Sequence, residues 1–331
     1  MTIGRRLWRA ITSVPGRIAV TAALLALLAV SIDWSAVGDA LSEAAWGWFV
    51  LAVALIGVSF VVASERWRML LTVARVPSGP LATLRAYLAG AFANNLLPTG
   101  FGGDALRAWL VAGSNLPLAR SLTSVVVDRA TALGCGVALA WVGVAIDPDA
   151  LDSDQLIPLL AVSAAGVAAL AATASALRRG GLARRLPERL RPWLGQVAET
   201  LRAYLADRRL LALVVALGLA FQAVTVLATW ALAETLGLDL SLALLAVVIP
   251  LVLIATALPI SIGGFGVREG SYVALLAAAG VSTGDATLLS LLSAAAMALA
   301  SLPGGLVVLL VRSNPDGALD AYKPGGIRHE A

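Results

Sequence analysis

Long apolar runs broken by proline and glycine constrain this chain more than any other feature. The runs cover 18–32, 48–63, 81–97, 105–112, 121–146, 156–177, 210–236, 242–258, 271–279 and 288–311. A helix that crosses a bilayer needs about 20 mostly apolar residues, and several runs reach that length. The chain of 331 residues is 60% hydrophobic and 13% charged, against about 25% charged for a soluble domain. Its mean hydropathy is +0.89. The sequence therefore predicts a polytopic membrane helix bundle of the all-α class with no soluble catalytic domain.

Charge placement sets the expected orientation, because Lys and Arg collect on the cytoplasmic side. Arg5, Arg6, Arg9 and Arg17 precede the first run; Asp33, Asp39 and Glu43 follow it. Basic and acidic connections then alternate: Arg66 to Arg85 inside, Asp147 to Asp154 outside, 178–209 inside, Glu234 and Asp239 outside, Arg312 and Lys323 inside. Trp34, Trp46, Trp48, Trp141 and Trp230 fall near the outer boundary and Trp8, Trp67 and Trp193 near the inner one, as aromatic belts do. The expected location is the plasma membrane, multi-pass, with both termini cytoplasmic. The first run also resembles a signal-peptide core, but no small-x-small cleavage site follows, so it reads as a crossing.

With that orientation, 81–112 starts and ends inside, and 242–279 starts and ends outside. Both read as broken, re-entrant helical hairpins. Their tips share the pattern L-P-x-x-x-G-G-x-x-x-R, from Leu97-Pro98 through Gly102-Gly103 to Arg107 and from Leu258-Pro259 through Gly263-Gly264 to Arg268. The offset is 161 at both ends (259 − 98 and 268 − 107). The order crossing, crossing, hairpin, crossing describes 18–146 and again 156–311 with reversed direction. This predicts two inverted repeats, an architecture of transporters that places the substrate near the midplane. The expected organisation is a cytoplasmic segment at 1–14, a transmembrane domain at 15–312 and a disordered cytoplasmic tail at 313–331. A basic amphipathic loop at 178–209 would lie on the inner leaflet, interrupted by Pro187 and Pro192.

Pro98, Gly102, Gly103, Pro259, Gly263 and Gly264 are the expected hinges, since proline lacks a donor and glycine permits sharp turns. A half-helix starting after each glycine pair would present free N–H groups and a positive dipole end, both favourable to an anion. Arg107 and Arg268 sit in the first turn after each break and can meet phosphate bidentately. The structural alternative pairs them with Asp104 and Glu269, and Asp104 could equally cap the new helix. Asp128 and Arg129 lie roughly 12 Å up their helix from Arg120, where charge is costly and usually faces a bundle interior or wet cavity. Glu65, Arg66 and Arg68 close the second crossing and read first as positive-inside anchors.

Other chemistry is not indicated. The single cysteine, Cys135, lies in an apolar run, and the single histidine, His329, lies in the polar tail. No metal site, cofactor or nucleic-acid partner is expected. No Walker, nucleophile-elbow or dinucleotide pattern is present, so the chain is read as a non-enzyme.

Glu65-Arg66-Trp67-Arg68, Asn94-Asn95-Leu96-Leu97-Pro98 with Gly102-Gly103-Asp104 and Arg107, Asp128-Arg129, and Pro259 with Gly263 through Glu269 together resemble the transmembrane region of the lysylphosphatidylglycerol synthase/flippase family. The resemblance covers about residues 15 to 312. It implies a lipid translocase, flippase-like, for an anionic, aminoacylated or polyprenyl-phosphate-linked lipid. Asp104, Arg107, Asp128, Arg129, Arg268 and Glu269 would line the headgroup path, with membrane lipids as the partners. The aminoacyltransferase domain of bifunctional members is not found in this sequence, so translocation rather than synthesis is expected. Two further readings are a membrane subunit presenting acceptor lipid to a separate glycosyl- or aminoacyltransferase, and a secondary transporter of a small anion.

Overall fold

The computed structural model describes residues 38, 41–76, 78–96, 102–112, 118–148, 156–166, 168, 172, 191–257 and 264–313. Among these there are helices and turns and no strands. The elements are α1 (Trp46–Val73), α2 (Pro80–Leu96), α3 (Gly102–Ala112), α4 (Leu118–Ile146), α5 (Leu156–Gly166), α6 (Arg191–Ala206), α7 (Arg208–Thr235), α8 (Leu242–Ala257), α9 (Val267–Leu276) and α10 (Thr283–Ser313), with a short 3-10 turn at Ala277–Ala279. The expected first crossing at 18–32, the hinges Pro98, Pro259 and Gly263, the loop at 178–190 and the tail from 314 lie outside the described residues.

Helices α1, α4, α7 and α10 are long and apolar enough to cross a membrane, and most of each is uncovered by protein. Val50, Val61, Ile146, Leu306 and Leu310 are each more than half exposed. A helix apolar all round belongs in lipid or in a core, and among the described residues nothing covers the exposed side of these helices. Trp46, Trp48 and Trp141 are exposed as interfacial residues should be, whereas Trp67 is fully buried. Trp67 is therefore not a belt residue; its indole N–H donates to Ser124 Oγ on α4 at 3.0 Å.

The shorter helices pair. α2, at 17 residues, is roughly 26 Å long and α3, at 11 residues, roughly 16 Å. Neither matches the ~30 Å of bilayer hydrocarbon. They fold back on each other as an antiparallel hairpin: Gly103 N–H donates to Asn94 Oδ1 at 2.8 Å, and Gly90 lies against Arg107. The approach leaves no room at Gly103, where a Cβ would collide with the Gly90 carbonyl. Gly102 and Gly103 are thus the first residues of α3 rather than the end of the preceding turn. In the second half, Gly264 (φ 78°) and Gly266 (φ 80°) take left-handed conformations immediately before α9, a geometry that costs a residue with a Cβ.

Pairings between helices are symmetric under an exchange of halves. α1 packs along α7; α2 packs on α10 as α8 packs on α4. α2 with α3 and α3 with α4 correspond to α8 with α9 and α9 with α10. Small residues carry the cross-half contacts, as expected where lipid supplies no hydrophobic drive between helices. Gly304 of α10 sits on the Leu88 carbonyl of α2, and Gly143 of α4 sits on the Ala243 carbonyl just inside α8. One apolar core surrounds α8 and α9 and another surrounds α2 and α3.

α6 lies against the second of these cores. Tyr204 is buried and its hydroxyl donates to the Leu70 carbonyl of α1 at 2.9 Å. Pro192 does not interrupt this helix: it is the second residue, where its missing N–H would have no helical partner anyway.

Candidate headgroup cavity

Three helices bring five charged side chains into one chain of contacts. Arg66 comes from α1, Asp104 and Arg107 from α3, and Asp128 and Arg129 from α4. Asp128 Oδ1 accepts from Arg66 Nε at 2.8 Å, and its Oδ2 accepts from both Nη1 and Nη2 of Arg107 at 3.1 Å. Arg107 Nε donates to Asp104 Oδ1 at 3.1 Å, and Arg129 Nε donates to Asp104 Oδ2 at 2.6 Å. The order Arg66–Asp128–Arg107–Asp104–Arg129 alternates in sign, three arginines to two aspartates.

Local helix geometry explains why these residues meet. Asp104 and Arg107 are three apart on α3 and share a face. Asp128 and Arg129 are adjacent on α4, so they diverge: Asp128 points inward with its side chain 2% exposed, while Arg129 reaches outward at 38%. Aromatic faces complete the arginine sites. The Arg107 guanidinium lies over Trp67 at 4.6 Å and Tyr87 at 4.8 Å from the ring centres, and Arg66 lies 5.4 Å from the ring centre of Phe221. Such contacts compensate part of the lost hydration of a buried cation.

All five charged residues line a cavity of about 260 Å³, somewhat below the roughly 300–1,000 Å³ of drug-sized sites. Asn94 of α2, Gln222 of α7, Thr256 of α8 and Gly264 at the second break also line it. The cavity therefore sits where the two halves meet. Among the described residues, two buried atoms of these lining residues have no hydrogen-bond partner, Arg66 Nη1 and Gln222 Oε1.

Of the residues expected from sequence, Asp104, Arg107, Asp128 and Arg129 converge here. Asp104 is an ion-pair partner of two arginines rather than a helix cap, being the third residue of α3. Arg268 and Glu269 pair with each other at 2.7 Å, and neither is among the cavity-lining residues. Glu269 Oε2 accepts from the Gly266 N–H at 2.6 Å, and Ser290 Oγ accepts from Arg268 Nε at 3.3 Å. This second pair braces the start of α9 and balances its own charge.

Arg66, expected as a positive-inside anchor, also lines the cavity, as do Tyr87 and Gln222. Arg66 is 1% exposed, so it is no surface anchor. Arg68, two residues on, stays at the surface: it pairs with Glu65 at 2.5 Å with its side chain 29% exposed.

The bundle and its buried charges define a multi-pass integral membrane protein with an ion-lined interior. The chain belongs to the family of the lysylphosphatidylglycerol synthase transmembrane region, whose family model matches residues 16–305. That membership relates the protein to lipid handling in membranes. Among curated proteins, none matches the chain.

Proposed function

We propose that the protein is a lipid translocase that moves an anionic, aminoacylated or polyprenyl-phosphate-linked lipid between leaflets, without itself catalysing a covalent reaction. The observation that carries this reading is the gathering of three arginines and two aspartates, in one chain of ion pairs, around a single interior cavity. Arginines inside a lipid-embedded bundle are costly, mark substrate paths and can meet a phosphate. One unit charge 4 Å from a phosphate gains about 4 kcal/mol at an effective dielectric constant near 20. The headgroup would cross the cavity while the acyl chains stay in the bilayer.

In this reading the hairpins α2–α3 and α8–α9 are re-entrant, entering from opposite faces, and the two halves are inverted repeats. The exchange symmetry of the helix pairings supports this, as does the recurrence of Pro, Gly-Gly and Arg at both tips. Rocking of one half against the other would open the cavity to each leaflet in turn. The membrane is the plasma membrane, with both termini cytoplasmic, following the charge asymmetry of the connections.

The test is reconstitution into liposomes containing headgroup-labelled phosphatidylglycerol or labelled polyprenyl phosphate, with an impermeant quencher outside. Translocation above that of protein-free vesicles supports the reading. Uptake of a water-soluble organophosphate with no lipid movement would make the protein a small-anion transporter. Absence of both, with co-purification of a soluble transferase, would make it a lipid-presenting subunit.

A further inference from the structure

Helix α6 closes one end of the bundle. The last turns of α1 and the first turns of α4 and α7 gather there. Trp67 of α1 bonds Ser124 of α4, and α1 starts where α7 ends, with the Ala45 N–H donating to the Thr235 carbonyl at 2.9 Å. Tyr204 of α6 fills the space between these three helices. It is 3% exposed and shares one apolar cluster with Leu70 of α1, Val125 of α4 and Val214 of α7, each 4% exposed or less. Leu70 comes four residues after Arg66, and Val125 three before Asp128. Tyr204 therefore sits roughly one helical turn from the Arg66–Asp128 pair, on the α6 side of the cavity. Burial first, and the Asp128 carboxylate after it, hold the Tyr204 phenol above its ordinary range, so it stays a donor at neutral pH.

Two features make this closure separable from the helices it covers. A single extended residue, Asp207 (φ −96°, ψ 94°), divides α6 from α7, and its carboxylate caps α7 by accepting the Leu210 N–H at 2.9 Å. The start of α7 is thus satisfied without help from α6. On α1, the Leu70 carbonyl already accepts the Ala74 N–H at 3.0 Å, and the Tyr204 hydroxyl takes its second lone pair at 2.9 Å. Withdrawing Tyr204 leaves no buried backbone group of α1 unpaired and returns the phenol to water. The opposite face of α6, with Arg202, Ala203, Leu205 and Ala206, is exposed.

We propose that α6 is a lid on this end of the cavity, with Tyr204 as its latch and Asp207 as its hinge. Swinging α6 away about Asp207 opens a path from this side to Arg66 and Asp128, and docking Tyr204 seals it. As the gate of a translocation path the lid rests on the function proposed above. Its movement is read without any lipid crossing, so the two fail separately.

The experiment adds a membrane-impermeant methanethiosulfonate to one side of membrane vesicles that hold the full-length chain with one cysteine. Two such cysteines are placed in a Cys135→Ser background: Ala203→Cys on the exposed face of α6, which identifies the α6 side, and Ala132→Cys on the cavity wall. A third protein keeps the native Cys135, which is buried against Gly218 of α7 and is not among the cavity-lining residues. From the α6 side, Ala203→Cys reacts and Ala132→Cys is protected. Adding Tyr204→Ala speeds the reaction of Ala132→Cys at least about tenfold. Tyr204→Phe removes only the hydroxyl and speeds it about two- to tenfold, the factor for one hydrogen bond. Native Cys135 stays protected in both. The lid is overturned if Ala132→Cys remains protected in both Tyr204 variants, or reacts as fast as Ala203→Cys with Tyr204 in place. An equal gain in reactivity at Cys135 also overturns it, because Tyr204 would then be an ordinary packing residue of the bundle. If Tyr204→Ala does not fold, Tyr204→Phe decides.

Discussion

Arg66 and Asp128 meet across 62 positions of sequence, Nε to Oδ1 at 2.8 Å, with both side chains 2% exposed. Their contact ties α1 to α4. Because the other oxygen of Asp128 holds Arg107, one carboxylate fixes three helices around the cavity.

Asp128 is therefore the residue whose neutralisation should cost most. Asp128→Asn leaves Arg66 and Arg107 facing each other without their shared counter-ion. Breaking a buried pair by removing one partner costs about 3–5 kcal/mol. Denaturant unfolding in detergent should show a loss of that size. Arg129→Gln removes a charge that is 38% exposed and should cost far less, on the order of 1 kcal/mol or below.

Arg107 tests geometry separately from charge. Its guanidinium contacts Asp128, Asp104, Trp67 and Tyr87 at once. Lysine keeps the positive charge but cannot reproduce a planar fork stacked on two rings. Arg107→Lys should lower lipid translocation about tenfold or more, an effect of about 1.4 kcal/mol. Equal rates in the two proteins, measured at matched folded amounts, would show that charge alone suffices at this position.

The hairpin depends on backbone contact at Gly103. A side chain there must displace the α2 backbone, as would one at Gly304 against Leu88. Gly103→Val and Gly304→Val should each lower stability by about 1–3 kcal/mol or more, read as a lower melting temperature and loss of a monodisperse peak. Gly57 of α1 has open space at its Cβ position, so Gly57→Ala should be neutral or slightly stabilising, glycine being the weaker helix former.

Much of this arrangement is legible in the amino-acid sequence. The apolar runs locate α1, α4, α7 and α10 because lipid demands helices of that length. Asp128 was recognisable since a charge deep in an apolar run needs an interior partner. Arg107 and Arg268 stood out because both follow the same Pro and Gly-Gly break. Arg66 did not, because an arginine at the end of a crossing already has an ordinary explanation in the positive-inside rule. What separates Arg66 from Arg68 is which face of α1 each occupies relative to α4, and that depends on a partner 62 residues away. Gln222 was silent for a related reason: an uncharged amide among Ala, Phe and Val raises no electrostatic question until its neighbours are known. The role of Asp104 also turned on tertiary contact, since capping and ion pairing fit the same local sequence.

Arg66 carries the central claim that the buried cations handle a lipid headgroup. Its Nη1 is a buried donor with no hydrogen-bond partner among the described residues, whereas the guanidinium of Arg68 is held by Glu65 at the surface. The decisive measurement is the rate at which labelled phosphatidylglycerol crosses proteoliposomes containing wild type, Arg66→Gln or Arg68→Gln, normalised to folded protein. The account predicts at least about a tenfold loss for Arg66→Gln, equivalent to about 1.4 kcal/mol, and a near-wild-type rate for Arg68→Gln. A wild-type rate in Arg66→Gln, with the protein folded, would contradict it.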